Sequence, residues 1–343
     1  MVFGIDQGRI SDTTAVELEF HAAMSSAVLV DRSVVGKLRV SGAEGLDLLH
    51  RLSTNDIRGL KAFSSAGTVF ATEKGRLVDF ARVLVIDESI LLMSSPLLQQ
   101  TLKQWIEKYV IMEEIAVFDI TTELAMYSII GPRAIDVGAR LLDVSLPGGR
   151  AAKIQVAGTQ CIVDVERDFP VSRLNILVAK ESSGTLWGKL KEEMQMLGFP
   201  VMGDTAYEAF RIFHGIPLGE SEINDAFNPY EVGLSPWISA TKGCYVGQEV
   251  IARLDTYDKV QREPVRVNFR HVAQTSAQRL HLAKDGEDIG VLTSIANTPV
   301  KEEYFGIGVV RRNRVSVGDT LTTIVNKLEY QGIVSTIFSH SMK

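Results

Sequence analysis

Two hydrophobic patterns alternate along roughly the first three quarters of the chain. Apolar runs bounded by turn residues predict antiparallel strands at residues 68–71, 77–86 and 90–93. Apolar residues recurring three and four positions apart predict helices, for example over residues 183–197. Because several strands follow one another without a helix between them, the pattern favours an α+β fold over a doubly wound sheet.

One helix start is predicted from spacing. Ser41 and Glu44 have the separation of a capping box, in which serine and glutamate satisfy each other's backbone N–H groups. Leu46, Leu49 and Leu52 would then share one helical face and deliver Asn55 to the end of the helix. The sequence therefore predicts a short helix in the first unit.

The pattern changes near residue 262, where helical periodicity ends. Six short strand-like runs follow, which predict a small all-β barrel or sandwich. We therefore divide the chain into residues 1–261, with an approximate internal division near residue 115, and a C-terminal domain of residues 262–343. Residues 219–241 form a long connecting segment rich in Asn, Pro, Ser and Gly, and long ordered loops are often functional.

Composition narrows the class of protein. The chain has 343 residues, of which 45% are hydrophobic, and a formal net charge of −6. That charge argues against a broad basic face, so we expect no stable complex with nucleic acid. No stretch approaches the roughly 18 to 20 apolar residues of a membrane span. The N-terminus lacks the pattern of a secretory signal and the chain has only two cysteines, so we expect a reducing, cytoplasmic location and no membrane role.

The chemically most distinctive segment is an octapeptide around Cys244. It is Lys242-Gly243-Cys244-Tyr245-Val246-Gly247-Gln248-Glu249. Thiolates are favoured near a cation and at the N-terminus of a helix, and a helix is predicted to begin just after Gly247. Cys244 is therefore a candidate nucleophile with Lys242 as its electrostatic activator. A buried structural cysteine in a tight turn is the alternative, since free cysteine is among the most buried residue types.

The wording of this segment resembles the signature of the YgfZ family, folate-binding relatives of the glycine-cleavage T-protein. The resemblance runs in order from about residue 33 to residue 262. Its further elements are Ser53-Thr54-Asn55-Asp56-Ile57, Gly75-Arg76-Leu77-Val78-Asp79, Gly131-Pro132, Phe210-Arg211, Gly215-Ile216-Pro217 and Asn228-Pro229-Tyr230-Glu231. It implies a T-protein-like fold of two mixed α/β subdomains and a small C-terminal β-barrel, arranged around a central cavity that binds tetrahydrofolate or a one-carbon derivative.

The chain departs from the T-protein pattern at two acids. T-proteins have paired aspartates where this chain has Asp79-Phe80, so one acid remains. T-proteins also have a G-Y-T-G-E element whose glutamate holds the pteridine ring. The corresponding segment, residues 167–171, has no carboxylate at its last position, which is Val171. These departures argue against glycine-cleavage activity.

Folate binding needs aromatic walls, hydrogen-bonding partners and a cation for the glutamate tail. Candidates are Tyr207 for stacking, Asn55 and Asp79 for hydrogen bonds, and Arg211, Arg253 or Lys242 for carboxylates. Four of these residues have a structural alternative. These are a surface position for Tyr207, a helix C-cap for Asn55, and ion pairs of Asp79 with Arg82 and of Arg211 with Glu208.

Three functions stay open at this level. The first, implied by the resemblance, is a tetrahydrofolate-binding accessory protein that acts transiently on iron–sulfur enzymes or their assembly proteins and supports tRNA modification, with Cys244 as its thiol. The second is a folate-dependent one-carbon transferase, of aminomethyltransferase or demethylase type, that uses Asp79. The third is a thiol-dependent redox scaffold. A Cys–His pair with His214 lacks a third orienting residue, and no metal-ligand spacing is present, so no metal site is predicted.

Overall fold

The fold was analysed in a computed structural model, which describes residues 7–144, 151–167, 170–273 and 279–338. Its helices are α1 (Gln7–Ser25), α2 (Gly45–Leu52), α3 (Gln99–Glu107), α4 (Ala134–Leu142), α5 (Lys180–Met196), α6 (Asp204–Phe213) and α7 (Gln248–Thr256). Its strands are β1 (Val28–Asp31), β2 (Gly36–Ser41), β3 (Ser65–Ala71), β4 (Leu77–Ile86), β5 (Ser89–Ser94), β6 (Ala116–Asp119), β7 (Leu124–Ile130), β8 (Ala152–Val156), β9 (Thr159–Glu166), β10 (Arg173–Ala179), β11 (Val201–Met202), β12 (Arg262–Phe269), β13 (Leu280–Lys284), β14 (Glu287–Ile295), β15 (Tyr304–Arg311), β16 (Thr320–Val325) and β17 (Leu328–Ile337).

The first subdomain is a five-stranded antiparallel sheet in the order β3-β4-β5-β2-β6. Helices α2 and α3 cover one of its faces, with Leu48, Leu49 and Leu102 fully buried against it. The predicted capping box is wrong: Ser41 ends β2, and the N-cap position of α2 is Glu44, which makes no side-chain cap hydrogen bond. Ser41 pairs with β5 as the last residue of β2 and is therefore not available for the helix-capping role that its spacing predicted.

The second subdomain is a six-stranded sheet in the order β11-β1-β7-β10-β9-β8. Strand β1 precedes the whole first subdomain in sequence yet pairs with β7, with Val28 opposite Ile130. The two sheets therefore interleave along the chain, and the division near residue 115 stays a prediction. Helices α4 and α5 pack on one face of this sheet, where buried Cys161 lies on β9 among apolar side chains.

The third subdomain is a closed barrel in the strand order β12-β15-β14-β13-β16-β17, which confirms the predicted α+β fold with a small C-terminal β-barrel. Helix α6 and the end of α1 join the barrel to the second sheet, with Phe20, Phe210 and Phe305 in one core. The connecting segment of residues 219–241 forms two short 3₁₀ helices, Pro229–Val232 and Ser235–Trp237, and fills the space between the barrel and the first sheet.

Candidate functional site

A central cavity lies where the two sheets and helix α6 meet, and it encloses about 650 Å³ of space open to solvent. Its wall is formed by residues from both sheets, from α6 and from the turn after α6. They are Arg32, Val35, Phe80, Arg82, Met93, Ser94, Ser95, Pro96, Met126, Glu166, Arg173, Asn175, Tyr207, Arg211, Ile216, Pro217 and Leu218.

One wall of the cavity pairs an aromatic ring with a guanidinium. The Cζ atom of Arg32 lies 4.3 Å from the centroid of the Tyr207 ring, and its guanidinium also donates to the Tyr207 hydroxyl. Arg32 lies in the turn that follows β1. The buried side chain of Lys37 stabilises this turn, because its ammonium donates to the carbonyls of Ser33 and Val35, each at 2.8 Å. Burial lowers the pKa of Arg32 from its ordinary value. The wall therefore combines a stacking surface with a cation.

The opposite wall is a buried charge network. Alternation places Val163 and Val165 toward the helices of the second subdomain and Asp164 and Glu166 toward the cavity side. Arg82 of the first sheet donates to Asp164 through Nε at 2.6 Å, and its Nη1 atom lies 3.8 Å from Glu166 Oε1. Buried ions need such partners because desolvation is costly. The network therefore ties the two sheets together across the cavity.

Strand β10 supplies the remaining polar groups of that wall. Arg173 lies opposite Glu166 and Asn175 lies opposite Asp164 in the antiparallel register. Arg173 and Glu166 are 4.0 Å apart, and the Asn175 amide contacts the Asp164 and Glu166 carboxylates at 3.5 Å. Glu166 thus places a carboxylate at the cavity, one position before the segment in which the sequence lacks the T-protein glutamate. Asp168 and Phe169 of that segment lie outside the described residues.

Asp79 is fully buried behind this cavity. Its Oδ1 atom accepts hydrogen bonds from the backbone N–H of Phe80 at 2.7 Å and of Ser95 at 3.3 Å, and both residues line the cavity. Its Oδ2 atom has no hydrogen-bond partner among the described residues. Burial raises the pKa of Asp79 to about 7. The predicted alternative, an Asp79–Arg82 ion pair, is wrong because Arg82 is bound to Asp164.

Helix α6 places Tyr207 and Arg211, four residues apart, on its cavity-facing side. The Arg211 guanidinium is held by Glu208, by Glu222 at 3.3 Å and by the hydroxyl of Ser294 at 2.8 Å. The ion pair with Glu208, predicted as its structural alternative, is therefore present. Through Glu222 and Ser294, Arg211 fastens the barrel to the cavity wall.

An apolar cavity adjoins the first and shares Ile216 and Pro217 with it. It is open to solvent, has about 1,080 Å³ of empty space, and is lined by Phe213, Trp237 and Phe338 among others. His214 lines it, and burial lowers the pKa of this histidine to about 4. The His214 ring contacts Met24 Sδ at 3.2 Å, and no described contact joins it to Cys244.

The cysteine loop, residues 239–247, approaches the first sheet at the C-terminus of α2. The Lys242 ammonium is buried there and donates to the carbonyls of His50 at 2.5 Å, Ser53 at 2.5 Å and Asn55 at 3.0 Å. The first two carbonyls lie at the C-terminus of α2, where a helix carries partial negative charge, and that of Asn55 follows two residues later. Burial lowers the pKa of Lys242 to about 8. Lys242 thus anchors the loop to α2.

Cys244 is exposed, in contrast to Cys161, and it is not among the residues that line the central cavity. Helix α7 begins immediately after Gly247, as predicted. Gly247 has φ of 80°, and a Cβ atom there would lie 2.4 Å from the carbonyl oxygen of Thr72, so only glycine fits this turn. No described contact joins the Lys242 ammonium to the Cys244 sulfur.

Asn55 and Arg253 lie away from the cavity wall. The Asn55 amide donates to the carbonyl of Gly67 at 2.8 Å, and Ser53 is the C-cap of α2. Arg253 is exposed on α7 and pairs with Glu249 at 2.8 Å. Neither residue lines the central cavity.

The chain matches one protein-family model over more than half of its length. That model, the GCVT N-terminal domain, matches residues 8–242. The chain belongs to the GCVT N-terminal domain family. The match ends two residues before Cys244, so the thiol lies outside the matched region of the GCVT domain.

Individual relatives agree with the family. The chain is 29% identical to a putative chloroplastic transferase of Arabidopsis thaliana, with 97% of this chain and 77% of that protein covered. It is 25% identical to an aminomethyltransferase of Thermotoga neapolitana, with 89% and 84% covered. The glycine cleavage system aminomethyltransferase T from Bartonella henselae shares the fold, with a TM-score of 0.75 at 19% identity over 94% of this chain and 88% of that one.

Of the predicted ligand residues, the structure brings Tyr207 and Arg211 to the cavity of this GCVT-family protein and Asp79 directly behind it. Sequence reasoning missed Arg32, Arg82, Glu166, Arg173 and Asn175. The Asp164-Val165-Glu166 alternation was a usable signal, because acids at alternate positions of an otherwise apolar strand require partners when that face is covered.

Within the part of the chain that the structure describes, no group of three or more His, Cys, Asp or Glu side chains is arranged to hold a metal ion. None of the helices there is both long and apolar enough to cross a membrane.

Proposed function

We propose that this GCVT-family protein binds tetrahydrofolate, or a one-carbon derivative of it, in the central cavity. The observation that supports this most is the cavity wall, which combines the Tyr207 and Phe80 rings with the Arg32 guanidinium and the Glu166 carboxylate. A pterin is a flat ring with an amidine-like edge that suits a carboxylate, and the glutamate tail of a folate suits a guanidinium. In this proposal Glu166 binds the pterin in place of the T-protein glutamate, which this chain replaces with Val171.

Binding is tested by calorimetric titration of the chain with tetrahydrofolate under reducing conditions. Tyr207→Leu removes the ring and is expected to weaken binding about tenfold or more, since aromatic stacking on a base contributes about 1–3 kcal/mol. Tyr230→Leu is the matched control, because Tyr230 is also half-buried but does not line this cavity. Equal loss in both variants, or no binding by the wild-type chain, would contradict the proposal.

We further propose that the folate-bound protein is an accessory factor of YgfZ type, acting in iron–sulfur enzyme assembly or repair and in the linked tRNA modification. The support is the octapeptide wording together with an exposed thiol on an anchored loop, which suits transient contact with a partner protein. In this proposal Cys244 is the reacting thiol and Lys242 serves it by fixing the loop. The proposed location is the cytoplasm, although the Arabidopsis relative is named as chloroplastic.

Complementation tests the accessory role. A strain that lacks its YgfZ-type protein should regain growth with the wild-type chain and fail to do so with Cys244→Ala, while Cys161→Ala should complement because Cys161 is buried. Complementation by Cys244→Ala would exclude the thiol mechanism. Protein levels of each variant, measured in the same cells, separate loss of function from loss of the protein.

A one-carbon transferase is the second candidate, favoured by Asp79. A buried carboxyl group with one unpaired oxygen and a pKa near neutrality suits general acid or base catalysis. The names of the relatives, which are transferases, agree with this candidate. Turnover of a methylated or aminomethylated amine with tetrahydrofolate, lost in Asp79→Ala and kept in Cys244→Ala, would establish it over the accessory role.

A further inference from the structure

A separate polar pocket lies beside the cysteine loop. It has about 430 Å³ of empty space and shares no lining residue with the central cavity. Its wall includes Tyr230, Ile238, Ser239, Tyr245, Gln248 and Asp255. The pocket is therefore a distinct candidate site on the same protein.

Three segments build this pocket. Tyr230 is fixed by a 3₁₀ helix whose first turn is closed by a reciprocal capping box between Asn228 and Glu231. Tyr245 comes from the cysteine loop and packs with Tyr230 against a small apolar cluster. Gln248 and Asp255 are seven residues apart on α7 and so lie on one face of that helix. The walls of the pocket are thus held by defined elements.

The polar side chains of the pocket are available to a ligand. Within the described ranges, the side chains of Tyr230, Tyr245, Gln248 and Asp255 make no hydrogen bond or ion pair. Tyr245 is buried, Tyr230 and Gln248 are half-buried, and Asp255 is exposed at the rim. Two other charged residues of the same helix, Glu249 and Arg253, pair with each other at 2.8 Å. Polar groups left unpaired at the mouth of a cavity are groups that a ligand can satisfy.

The charge of the pocket favours a cation. Asp255 is the charged residue of its lining, which contains no lysine, arginine or histidine. Burial and the nearby Asp255 carboxylate raise the pKa of Tyr230, and burial raises the pKa of Tyr245 to about 12, so both rings are neutral phenols near pH 7. Lys242 lies 5.1 Å from the Tyr245 ring centroid, but its ammonium is bound by carbonyls of α2 and does not line the pocket.

We propose that this pocket binds a compact alkylammonium group, with the Tyr230 and Tyr245 rings as walls and Asp255 as the counter-ion. Aromatic faces attract such cations, and a carboxylate at the rim adds charge complementarity. An anion would be repelled by Asp255, and a neutral ligand would gain no charge complementarity from it. The site goes beyond the proposed folate function and shares none of its residues.

The proposal is tested by calorimetric titration of the full chain with tetramethylammonium chloride, with neopentyl alcohol as a neutral ligand of similar bulk. We expect the cation to bind and the alcohol not to. Asp255→Asn should weaken cation binding about tenfold, the effect of losing about 1.4 kcal/mol. Glu249→Gln is the matched control, because it removes a carboxylate from the same helix outside the pocket. Unchanged affinity in Asp255→Asn would overturn the proposal, as would equal binding of the alcohol or no binding of the cation.

The two tyrosine variants separate this site from the folate cavity. Tyr230→Leu should lose tetramethylammonium binding and keep tetrahydrofolate binding, and Tyr207→Leu should do the reverse. A free amine and a lysine side chain of another protein present the same chemistry. Titrations with methylammonium and with Nα-acetyl-lysine methylamide distinguish these sources, and tighter binding of either supports the ammonium site. If Tyr230→Leu leaves cation binding intact, the pocket is not the site.

Discussion

The central cavity and the cysteine loop both present reactive groups, but they bury them to different extents. At the cavity, Arg82, Asp164 and Glu166 are almost fully buried and depend on one another across two sheets. On the loop, Cys244 is exposed, and the buried charge is Lys242, whose partners are backbone carbonyls. The cavity therefore depends on the assembly of separate subdomains, whereas the thiol depends on one anchored loop.

The contrast between the two regions predicts that they respond differently to perturbation. Loss of one charged side chain of the cavity network leaves its ion-pair partner buried and unpaired in a low-dielectric environment. A change at the Cys244 thiol leaves no buried charge unpaired. We therefore expect changes in the cavity charge network to lower the free energy of unfolding. Changes at Cys244 should remove the reactive thiol and leave the free energy of unfolding nearly unchanged.

The largest expected difference is between the two thiols. In the native protein Cys244 should react with a soluble disulfide reagent at least about 1,000-fold faster than Cys161, because a buried thiol reacts only after opening that costs several kcal/mol. Burial also raises the pKa of Cys161 to about 11. The absorbance of the thiol released from the reagent should correspond to one reacting cysteine in the native protein and to two in the denatured protein. A Cys244→Ser chain that still reacts quickly would contradict the assignment.

The next largest effect is expected at the cavity charge network. Arg82→Ala leaves the buried Asp164 carboxylate without its cation, while Glu166 keeps Arg173, and we expect the free energy of unfolding to fall by about 3–5 kcal/mol in urea titrations. Arg253→Ala breaks an exposed pair on α7 and should cost about 0.5 kcal/mol or less. A similar loss of unfolding free energy in both variants would show that the buried network stabilises the fold no more than an exposed ion pair does.

Removing the loop anchor should have a smaller effect. Lys242→Met takes away a buried donor to three carbonyls, and we expect a loss of about 2–3 kcal/mol in the free energy of unfolding. Lys259→Met, at an exposed lysine, should have little effect. The rate of Cys244 alkylation in the folded variant distinguishes the two roles of Lys242. A lower rate across neutral pH in the still-folded chain would show that Lys242 activates the thiol electrostatically, as the sequence predicted.

The smallest effect concerns Asp79 and depends on pH. Its folded-state pKa is raised to about 7 from 3.8, so between these values the unfolded chain holds fewer protons than the folded chain. Raising the pH through this window therefore lowers stability, and the full cost is present near neutrality and absent below about pH 4. Asp79→Asn should be more stable than wild type by about 1–3 kcal/mol near neutral pH.

The control for Asp79 is Asp225→Asn, an exposed position where the same substitution should leave stability unchanged at either pH. The urea midpoints of Asp79→Asn and wild type should converge near pH 4. A constant difference at both pH values would mean that the substitution acts through packing and not through the proton.

The sequence predicted the fold class through local signals. The end of helical periodicity near residue 262 coincides with the start of β12, and the turn glycine at Gly247 coincides with the start of α7. These features are local because strand alternation, helical spacing and the need for glycine at positive φ act over a few neighbouring residues. The capping box at Ser41 failed because β2 extends through that residue, and sheet pairing outweighed the local preference.

What the sequence alone determined was the inventory of groups: one cysteine motif around Cys244, one remaining acid at Asp79 and an aromatic at Tyr207. Which of them meet was decided by the tertiary structure. Arg32 follows the first strand of the second sheet, and Glu166 follows more than a hundred residues later, yet both line one cavity because β1 crosses into the sheet of β7–β10. Lys242 likewise found its partners at the end of a distant helix. Long-range pairing sets such contacts, and it depends on how whole subdomains pack rather than on neighbours in the chain.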